Sequence, residues 1–304
     1  MLSARRLRIR RPKKKGVGLL SLILLLSIGL AFLVWNLFFR TRYWRGDNKL
    51  NLVVKGPFSS VTILSFDPKS GEINKFIIPG DTEVKVSRGL GNFRLKNIWQ
   101  LGMDEKLEGK LLAETVAKNF SAPVYVWADS PALGFGKSFL ETIDAIFSPY
   151  KTNLTFSDKI RLGIFSLSVK NNNVSQIELI KTGFLRKTQL KDGDYGYVIL
   201  NEVPRELVLA LSNPMVANKN LKVQINDFSS DLSVEESIGK IFEVLGTKVS
   251  SFNKDGEADI DCEVGGTNKD LVQEISKIFG CNINPEKSDF DTEFTIGKKF
   301  ILRY

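Results

Sequence analysis

A carboxylate that directly follows an apolar run is the first residue of this chain whose position suggests chemistry. Residues 77–82 read Ile-Ile-Pro-Gly-Asp-Thr, so that Asp81 comes just after a Pro-Gly corner. A carboxylate at the end of a strand could bind a metal ion or lie beside a phosphate. A turn aspartate that bonds its own backbone fits the same pattern. The residues by themselves favour the turn.

Several cations follow this carboxylate along the chain. They are Arg88, Arg94 and Lys96, with Lys85 nearby. Three or four cations next to a carboxylate could hold a phosphate group, whereas the alternative is a solvated loop with ordinary charges. If the segment is extended, Arg94 and Lys96 lie on the same side of it.

The complete absence of histidine excludes several kinds of site. A Ser-His-Asp or Cys-His catalytic pair, a HExxH zinc site and a three-histidine metal site all require it. Acid–base chemistry would have to use carboxylates, Lys, Arg or Tyr. The two cysteines, Cys262 and Cys281, are candidates for a disulfide outside the cytoplasm, and free thiols remain equally open.

An uncharged apolar segment at residues 16–39 precedes all these residues. A helix of about 20 residues crosses the roughly 30 Å core of a bilayer. A buried helix of a soluble protein and a cleaved signal peptide are the alternatives. Buried helices of this length normally show a polar face, and signal peptides have shorter apolar regions. We therefore predict a retained transmembrane helix.

The net charge of +9 arises almost entirely from the N-terminus. Residues 1–15 contain eight Lys and Arg and no acid, and 35 basic and 34 acidic residues remain elsewhere. A basic arm before an apolar span predicts a cytoplasmic N-terminus. The arm then sets topology and contacts anionic lipid, so no nucleic-acid partner is expected. The protein is predicted at the cell membrane, with the part after the linker at 40–49 outside the cytoplasm.

The remainder alternates between predicted strands and helices, which indicates a layered α/β domain at residues 50–213. Predicted strands are 50–54, 61–66, 72–78, 124–128, 174–180 and 195–200, and predicted helices include 107–120, 159–169 and 204–211. A further helix before Pro149 is expected to bury Phe139, Leu140, Ile143, Ile146 and Phe147.

A second unit is predicted at residues 221–304 with the order β-α-β-β-α-β. Its strands are 221–225, 248–252, 258–264 and 294–302. Ser233, with Glu236 in a capping box, and Thr267 are predicted to begin its two helices.

The segments around Asp81 resemble, in order, those of the LytR-CpsA-Psr (LCP) family. Residues 61–69 are similar to the family line D-T-I-x-L-x-S-x-N-P-K, and residues 72–82 to the following strand and I-P-R-D-T motif. Residues 94–102 (RLKNIWQLG) resemble K-[IL]-N-x-A-Y-x-x-G, and residues 114–126 the family's helix and central strand. Residues 158–163 resemble a reduced R-x-x-D-x-G-R-x-x-R-Q-Q helix.

The resemblance to this family implies both a C-terminal domain and an activity. Residues 221–302 resemble the LytR C-terminal domain, which is often attached to LCP proteins. The family transfers cell-wall glycopolymer from a polyprenyl-pyrophosphate carrier to peptidoglycan; its arginines hold the pyrophosphate, and its aspartates support Mg²⁺ and acid–base steps. By this resemblance Asp81 would be the catalytic and Mg²⁺-binding residue. Arg94 and Arg161 match family cations, and Arg88 and Lys96 are further candidates for binding phosphate.

Several positions of the family pattern differ in this chain. The arginine of I-P-R-D-T is Gly80, and the aspartate of D-T is Ser59. Leu162 and Gly163 replace the glutamines of R-Q-Q, and the second arginine cluster of the family is absent. Loss of one donor that stabilises developing negative charge can lower a rate about 10²–10³-fold. We therefore favour a non-catalytic LCP-like protein that binds or scaffolds wall glycopolymer, its lipid carrier or peptidoglycan. The alternatives are an active phosphotransferase, which would need Mg²⁺, and a structural envelope protein without a ligand.

Overall fold

The structure is a computed structural model that describes residues 17–39, 42–200, 202–217, 219–229, 232–254, 256–285 and 288–304. The chain divides into two compact units, residues 1–41 and residues 42–304.

The first unit contains a single described helix, α1 (Val17–Phe39). Its described side chains, at residues 21–35, are exposed. Among the residues that the structure describes, no helix is both long enough and apolar enough to cross a membrane. The predicted transmembrane helix at 16–39 is therefore not confirmed. The predicted basic arm at 1–15 lies outside the described residues.

Every strand that the structure describes, and every described helix other than α1, lies in the second unit. The strands are β1 (Leu50–Lys55), β2 (Val61–Asp67), β3 (Glu72–Ile78), β4 (Glu83–Val86), β5 (Gly91–Arg94), β6 (Val126–Ala128), β7 (Val174–Glu178), β8 (Leu185–Gln189), β9 (Tyr195–Ile199), β10 (Lys222–Asp227), β11 (Lys248–Asn253), β12 (Cys262–Gly265), β13 (Asn282–Ile283) and β14 (Thr292–Ile296). The helices are α2 (Leu95–Asp104), α3 (Lys110–Phe120), α4 (Phe139–Phe147), α5 (Phe156–Ser168), α6 (Arg205–Leu211), α7 (Pro214–Ala217), α8 (Leu232–Leu245), α9 (Lys269–Phe279) and α10 (Lys298–Arg303).

A central sheet of five strands has the order β6-β1-β2-β3-β7. The middle strands β1, β2 and β3 are antiparallel neighbours, and the two edge strands pair in parallel with β1 and β3. The predicted strands at 50–54, 61–66 and 72–78 are confirmed. All seven residues of β2 are buried because the sheet is covered on both faces.

Helices cover the two faces of this sheet and give a layered α/β arrangement. On one face, Val53, Ile63 and Phe76 pack with residues of α2 and α3. On the other face, Leu52 and Phe66 pack with residues of α4 and α5. Successive side chains of a strand point to opposite faces of the sheet, so each strand contributes side chains to both hydrophobic layers. The α/β class predicted from the sequence is confirmed.

Helix α5 begins one turn earlier than the sequence predicts. Thr155 is its N-cap, and Asp158 occupies the third helical position of a capping box rather than the cap itself. The fully buried Asp158 carboxylate also accepts the backbone N–H groups of Tyr43 and Trp44 at 3.2 and 3.1 Å. This contact holds the start of the second unit against α5.

The C-terminal strands form a second sheet of five strands, in the order β11-β10-β14-β12-β13. The predicted final strand at 294–302 is confirmed only as far as Ile296, where β14 ends, and is wrong beyond it because α10 follows at Lys298–Arg303. Helix α9 is capped by Asn268 rather than Thr267. Ser233 lies within α8 rather than before it.

The two sheets of the second unit share one hydrophobic core, which runs through α3 and α8. Lys118 of α3 donates to the backbone oxygen of Tyr304 at 2.6 Å and lies 5.0 Å from its ring. The stretch between the two predicted domains contains α7. The division into domains at 50–213 and 221–304 stays a prediction.

Cys262 and Cys281 form a disulfide between β12 and the residue just before β13. The sequence left this pairing open, and the structure decides it. The bond closes a loop with a sequence separation of 19 residues, and both cysteines are buried.

Candidate functional site

Asp81 lies in the corner that follows β3. The corner is a turn in which Thr82 donates its backbone N–H and its hydroxyl to the carbonyl of Pro79, at 3.1 and 2.8 Å. The turn therefore bonds through Thr82, and the Asp81 carboxylate remains available to other elements. The sequence favoured a turn aspartate that bonds its own backbone, whereas the Asp81 carboxylate bonds the side chains of Arg94 and Lys96.

Arg94 and Lys96 approach this corner from the junction of β5 and α2. Arg94 is the last residue of β5, and Lys96 is the second residue of α2. The segment is not extended beyond Arg94, because the helix begins at Leu95. Both cations nevertheless reach the same atom, Oδ1 of Asp81, and the backbone N–H groups of Leu95 and Lys96 bond the carbonyls of Thr82 and Gly80.

The β8–β9 hairpin supplies the third element of the site. Tyr197 of β9 donates its backbone N–H to the carbonyl of Asp81 at 3.1 Å. This contact brings Asp192 and Asp194, in the hairpin loop, to Arg94. Neither aspartate is among the candidate site residues predicted from the sequence. The Asp-Gly-Asp pattern was a signal only for a turn.

Five charged side chains meet here, and we call them the Asp81–Arg94 cluster: Asp81, Arg94, Lys96, Asp192 and Asp194. Lys96 and Arg94 both donate to the Oδ1 atom of Asp81, at 2.7 and 3.1 Å. Arg94 also donates to both carboxylate oxygens of Asp192, at 2.8–3.1 Å. The Asp194 carboxylate is 3.7 Å from the Arg94 guanidinium. A guanidinium can serve several carboxylates because its donors form a planar fork.

These contacts shift the pKa values of Asp81, Asp192 and Arg94 in the direction that keeps each group ionised. The hydrogen bond from Lys96, together with that from Arg94, lowers the pKa of Asp81. The hydrogen bond from Arg94 lowers the pKa of Asp192, and the bond with Asp192 raises the pKa of Arg94. Three carboxylates thus face two cations, so negative charge predominates in the cluster at neutral pH.

Gly80 and Ser59, two of the positions that depart from the family pattern, touch each other. A Cβ atom placed on Gly80 would overlap the carbonyl oxygen of Ser59 and would lie 2.8 Å from the Cβ of Lys96. Ser59 and Phe58 form a tight turn with φ values of 65° and 52°. Backbone therefore fills the space that a side chain at position 80 would need.

The other predicted phosphate ligands lie outside the cluster. Arg88 makes a two-pronged contact with Glu114 of α3, with both N···O distances at 2.8 Å. Arg161 of α5 donates to the backbone oxygen of Arg45 at 2.8 Å. Of the four cations predicted to hold phosphate, the structure brings together Arg94 and Lys96.

The cluster does not fit a divalent cation. Asp81 meets two cations at one of its oxygens, and Arg94 lies between the three carboxylates. Within the described ranges, no group of three or more Asp, Glu, Cys or His side chains is arranged to hold a metal ion. The predicted role of Asp81 as a Mg²⁺ ligand gains no support from this geometry.

An open groove of about 660 Å³ lies beside the cluster. Its wall includes Arg94 and Asp192, the amides of Asn92 and Asn97, and the half-exposed ring of Phe93. Amides and a carboxylate can accept and donate hydrogen bonds to hydroxyl groups. An aromatic ring among such groups offers an apolar surface to a flat ligand.

Comparisons with known proteins found no matching protein-family model and no matching curated protein. Among solved structures, TagT of Bacillus subtilis is 16% identical with a TM-score of 0.41, and the match covers 56% of this chain and 94% of TagT. TagT with bound octaprenyl pyrophosphate lipid is 17% identical, with a TM-score of 0.40 and coverage of 56% and 93%. TagV of B. subtilis is 10% identical, with a TM-score of 0.38 and coverage of 66% and 99%.

These structural neighbours are LytR-CpsA-Psr family proteins, the family that the sequence resembles. Their TM-scores lie below 0.5, so the likeness by itself carries no argument about function. The LytR-type identity of residues 221–304 stays a prediction.

Proposed function

We propose that this protein is a non-catalytic, LCP-like envelope protein that binds the saccharide part of a cell-wall glycopolymer in the groove beside the Asp81–Arg94 cluster. The observation that carries the proposal is the contact between Gly80 and Ser59. The family has an arginine and an aspartate at these two positions. Here the backbone of one occupies the side-chain space of the other, so both charges are replaced by one packed turn.

The charge of the cluster supports a saccharide rather than a pyrophosphate as the ligand. Arg94 already contacts Asp81, Asp192 and Asp194, and its side chain is 14% exposed. A pyrophosphate would have to compete with these carboxylates and would meet like charge. Hydroxyl groups of a sugar can bond the same carboxylates without that repulsion.

The start of α2 does not provide an anion site in place of the missing arginine. Free N–H groups at a helix N-terminus can bind phosphate. The N–H groups of Leu95 and Lys96 instead donate to the carbonyls of Thr82 and Gly80, at 2.8 and 2.9 Å. This arrangement also fixes the cations relative to Asp81.

Calorimetric titration of the full chain in detergent tests the ligand. A phosphate-free oligosaccharide of envelope glycopolymer should bind, and inorganic pyrophosphate with Mg²⁺ should not. Asn97→Ala should weaken saccharide binding about fivefold because it removes about one hydrogen bond. Asn171→Ala, at an exposed asparagine outside the groove, is the matched control and should leave binding unchanged. Pyrophosphate binding without saccharide binding would overturn the proposal.

Turnover is tested separately. The full chain is incubated with a polyprenyl-pyrophosphate-linked glycopolymer, Mg²⁺ and peptidoglycan, and the phosphate-linked product is measured. We expect no product. A product that disappears in Asp81→Ala would show that the phosphotransferase alternative is right.

For localisation we propose the arrangement predicted from the sequence, with the N-terminus in the cytoplasm and residues 42–304 outside it at the cell membrane. The charge asymmetry of residues 1–15 supports this orientation. The disulfide between Cys262 and Cys281 also supports it, because such bonds persist in oxidising compartments. Alkylation of intact cells with a membrane-impermeant thiol reagent, after reduction, would label these cysteines only if they lie outside the cytoplasm.

A further inference from the structure

Helices α4 and α5 expose an apolar surface, which their packing leaves uncovered among the described residues. Six large apolar side chains on them are between 38% and 76% exposed: Phe139, Leu140, Phe147, Phe156, Ile164 and Leu167. We call these six residues the α4–α5 apolar surface. The sequence predicted that Phe139, Leu140 and Phe147 would be buried. That prediction is wrong, because the helix already buries its opposite face in the core.

The exposed residues follow the helical repeat. In α5, Ile164 and Leu167 lie eight and eleven residues after Phe156, so the three side chains fall within an arc of about 80°. In α4, Phe139, Leu140 and Phe147 occupy an arc of about 100° in the same way. Each helix therefore has an outer apolar stripe besides the inner one expected for a helix on a sheet.

Contacts between the helices join the two stripes into one surface. The rings of Phe147 and Phe156 meet edge to face, with their centroids 5.8 Å apart. Beneath them, Ile146 of α4 packs directly on Gly163 of α5, where an added Cβ would overlap the isoleucine side chain. The close approach keeps the helices side by side. A contiguous apolar patch of this kind marks an interaction site.

The segment that begins the second unit is held on the same helix. Tyr43 and Trp44 donate their backbone N–H groups to Asp158 of α5. Arg161, one turn further along α5, donates to the backbone oxygen of Arg45, and the Trp44 ring lies 5.5 Å from that of Phe165. In the sequence, the apolar segment 16–39 ends only three residues before Arg42.

Two cations lie on α5 beside its apolar arc: Arg161 is part of the helix, and Arg45 is held against it through its backbone oxygen. Arg45 is exposed, and Arg161 is half-buried. Of the carboxylates on the two helices, Glu141 pairs with Lys137, Asp144 accepts a hydrogen bond from the hydroxyl of Ser148, and Asp158 is buried. Apolar side chains bordered by cations suit a bilayer surface, where the apolar groups enter the acyl boundary and the cations meet anionic headgroups.

We infer that the α4–α5 apolar surface docks on a lipid bilayer. A bilayer accounts together for the two apolar stripes and for the cations Arg45 and Arg161 on α5. The inference does not depend on which ligand the groove beside Asp81 holds.

Fluorescence quenching in vesicles tests this inference with the full chain. The native cysteines are joined in the disulfide, so Leu140→Cys and Ile164→Cys each add one free thiol for an environment-sensitive dye. Leu209→Cys on α6, where the native side chain is also 62% exposed, is the matched control. The vesicles contain phosphatidylcholine and phosphatidylglycerol, with or without a nitroxide on the acyl chains.

We expect most of the fluorescence at positions 140 and 164 to be lost in nitroxide vesicles and the signal at position 209 to be unchanged. Retained fluorescence that aqueous iodide quenches would place the surface in water. Retained fluorescence that iodide does not quench would mean that a second copy, another protein or this chain covers the surface. Either result, or equal nitroxide quenching at position 209, would overturn the inference. Thermal unfolding of each labelled variant confirms that the fold is retained.

Discussion

Replacing Gly80 by alanine tests whether the corner after β3 has room for any side chain. The new Cβ would overlap the Ser59 carbonyl and would lie 2.8 Å from the Cβ of Lys96. Both neighbours are constrained, since Lys96 N–H bonds the Gly80 carbonyl and Ser59 lies in a turn with φ of 65°. The loop that contains Ser59 must therefore move.

The expected cost follows from this overlap. Adding a methyl group to a filled site typically costs about 1–3 kcal/mol. The lower entropy of the unfolded chain offsets about 0.4–1 kcal/mol of this. We expect Gly80→Ala to lower the free energy of unfolding by about 1–2 kcal/mol, and Tm by roughly 2–4 °C per kcal/mol. Gly80→Arg, which restores the family residue, should be less stable still and should not bind pyrophosphate.

Gly239→Ala is the matched control. Gly239 lies within α8, and no atom comes within 4 Å of its added Cβ. Alanine there should stabilise the protein by about 0.5–1 kcal/mol because glycine is a poor residue in a helix interior. Thermal unfolding of the full chain, followed by tryptophan fluorescence, measures both variants. Wild-type stability in Gly80→Ala, or pyrophosphate binding by a stable Gly80→Arg variant, would refute the reasoning.

Three further predictions concern buried groups. Burial raises the pKa of Glu274 from 4.5 to about 7, so the stability that it contributes is complete below about pH 4.5 and is lost as the pH rises through 7. Glu274→Gln should remove a pH-dependent loss of up to about 3 kcal/mol, seen as a flatter plot of Tm between pH 5 and 8; an unchanged slope would contradict this. Asp158→Asn should cost about 2–3 kcal/mol in urea unfolding because a buried carboxylate that accepts several N–H and O–H donors becomes an amide. The exposed Asp144→Asn should change little, and equal effects of the two variants would count against the capping role. Replacing Cys262 and Cys281 by serine should lower the free energy of unfolding by about 2–4 kcal/mol, and stability that is insensitive to a reducing agent would contradict this.

Local patterns in the sequence were sufficient for much of the layered α/β part. Apolar runs bounded by Pro and Gly predicted β1, β2 and β3 because a strand buried on both faces is continuously apolar. The C-terminal strand was wrong beyond Ile296, where a helix forms in a segment with no clear repeat.

Of the four cations that the sequence predicted to bind phosphate, two meet at Asp81 and two do not. Arg94 and Lys96 meet Asp81 because they lie at a junction between a strand and a helix, close in the chain. Arg88 lies in the turn between β4 and β5, at the other end of β5 from Arg94, and contacts Glu114 instead. Asp192 was missed because it lies almost a hundred residues from Arg94, and only the docking of the β8–β9 hairpin brings the two together.

The sequence by itself determined the residue types: no histidine, a basic N-terminal arm, an apolar segment and the replacement of two family charges by Gly80 and Ser59. Tertiary structure alone decided what those replacements do. The two positions are about twenty residues apart in the chain, and only the pairing of β2 with β3 brings their backbones into contact. Charge neutralisation of Arg94 and the exposure of the α4–α5 apolar surface were likewise decided by packing, because both depend on which elements become neighbours in space.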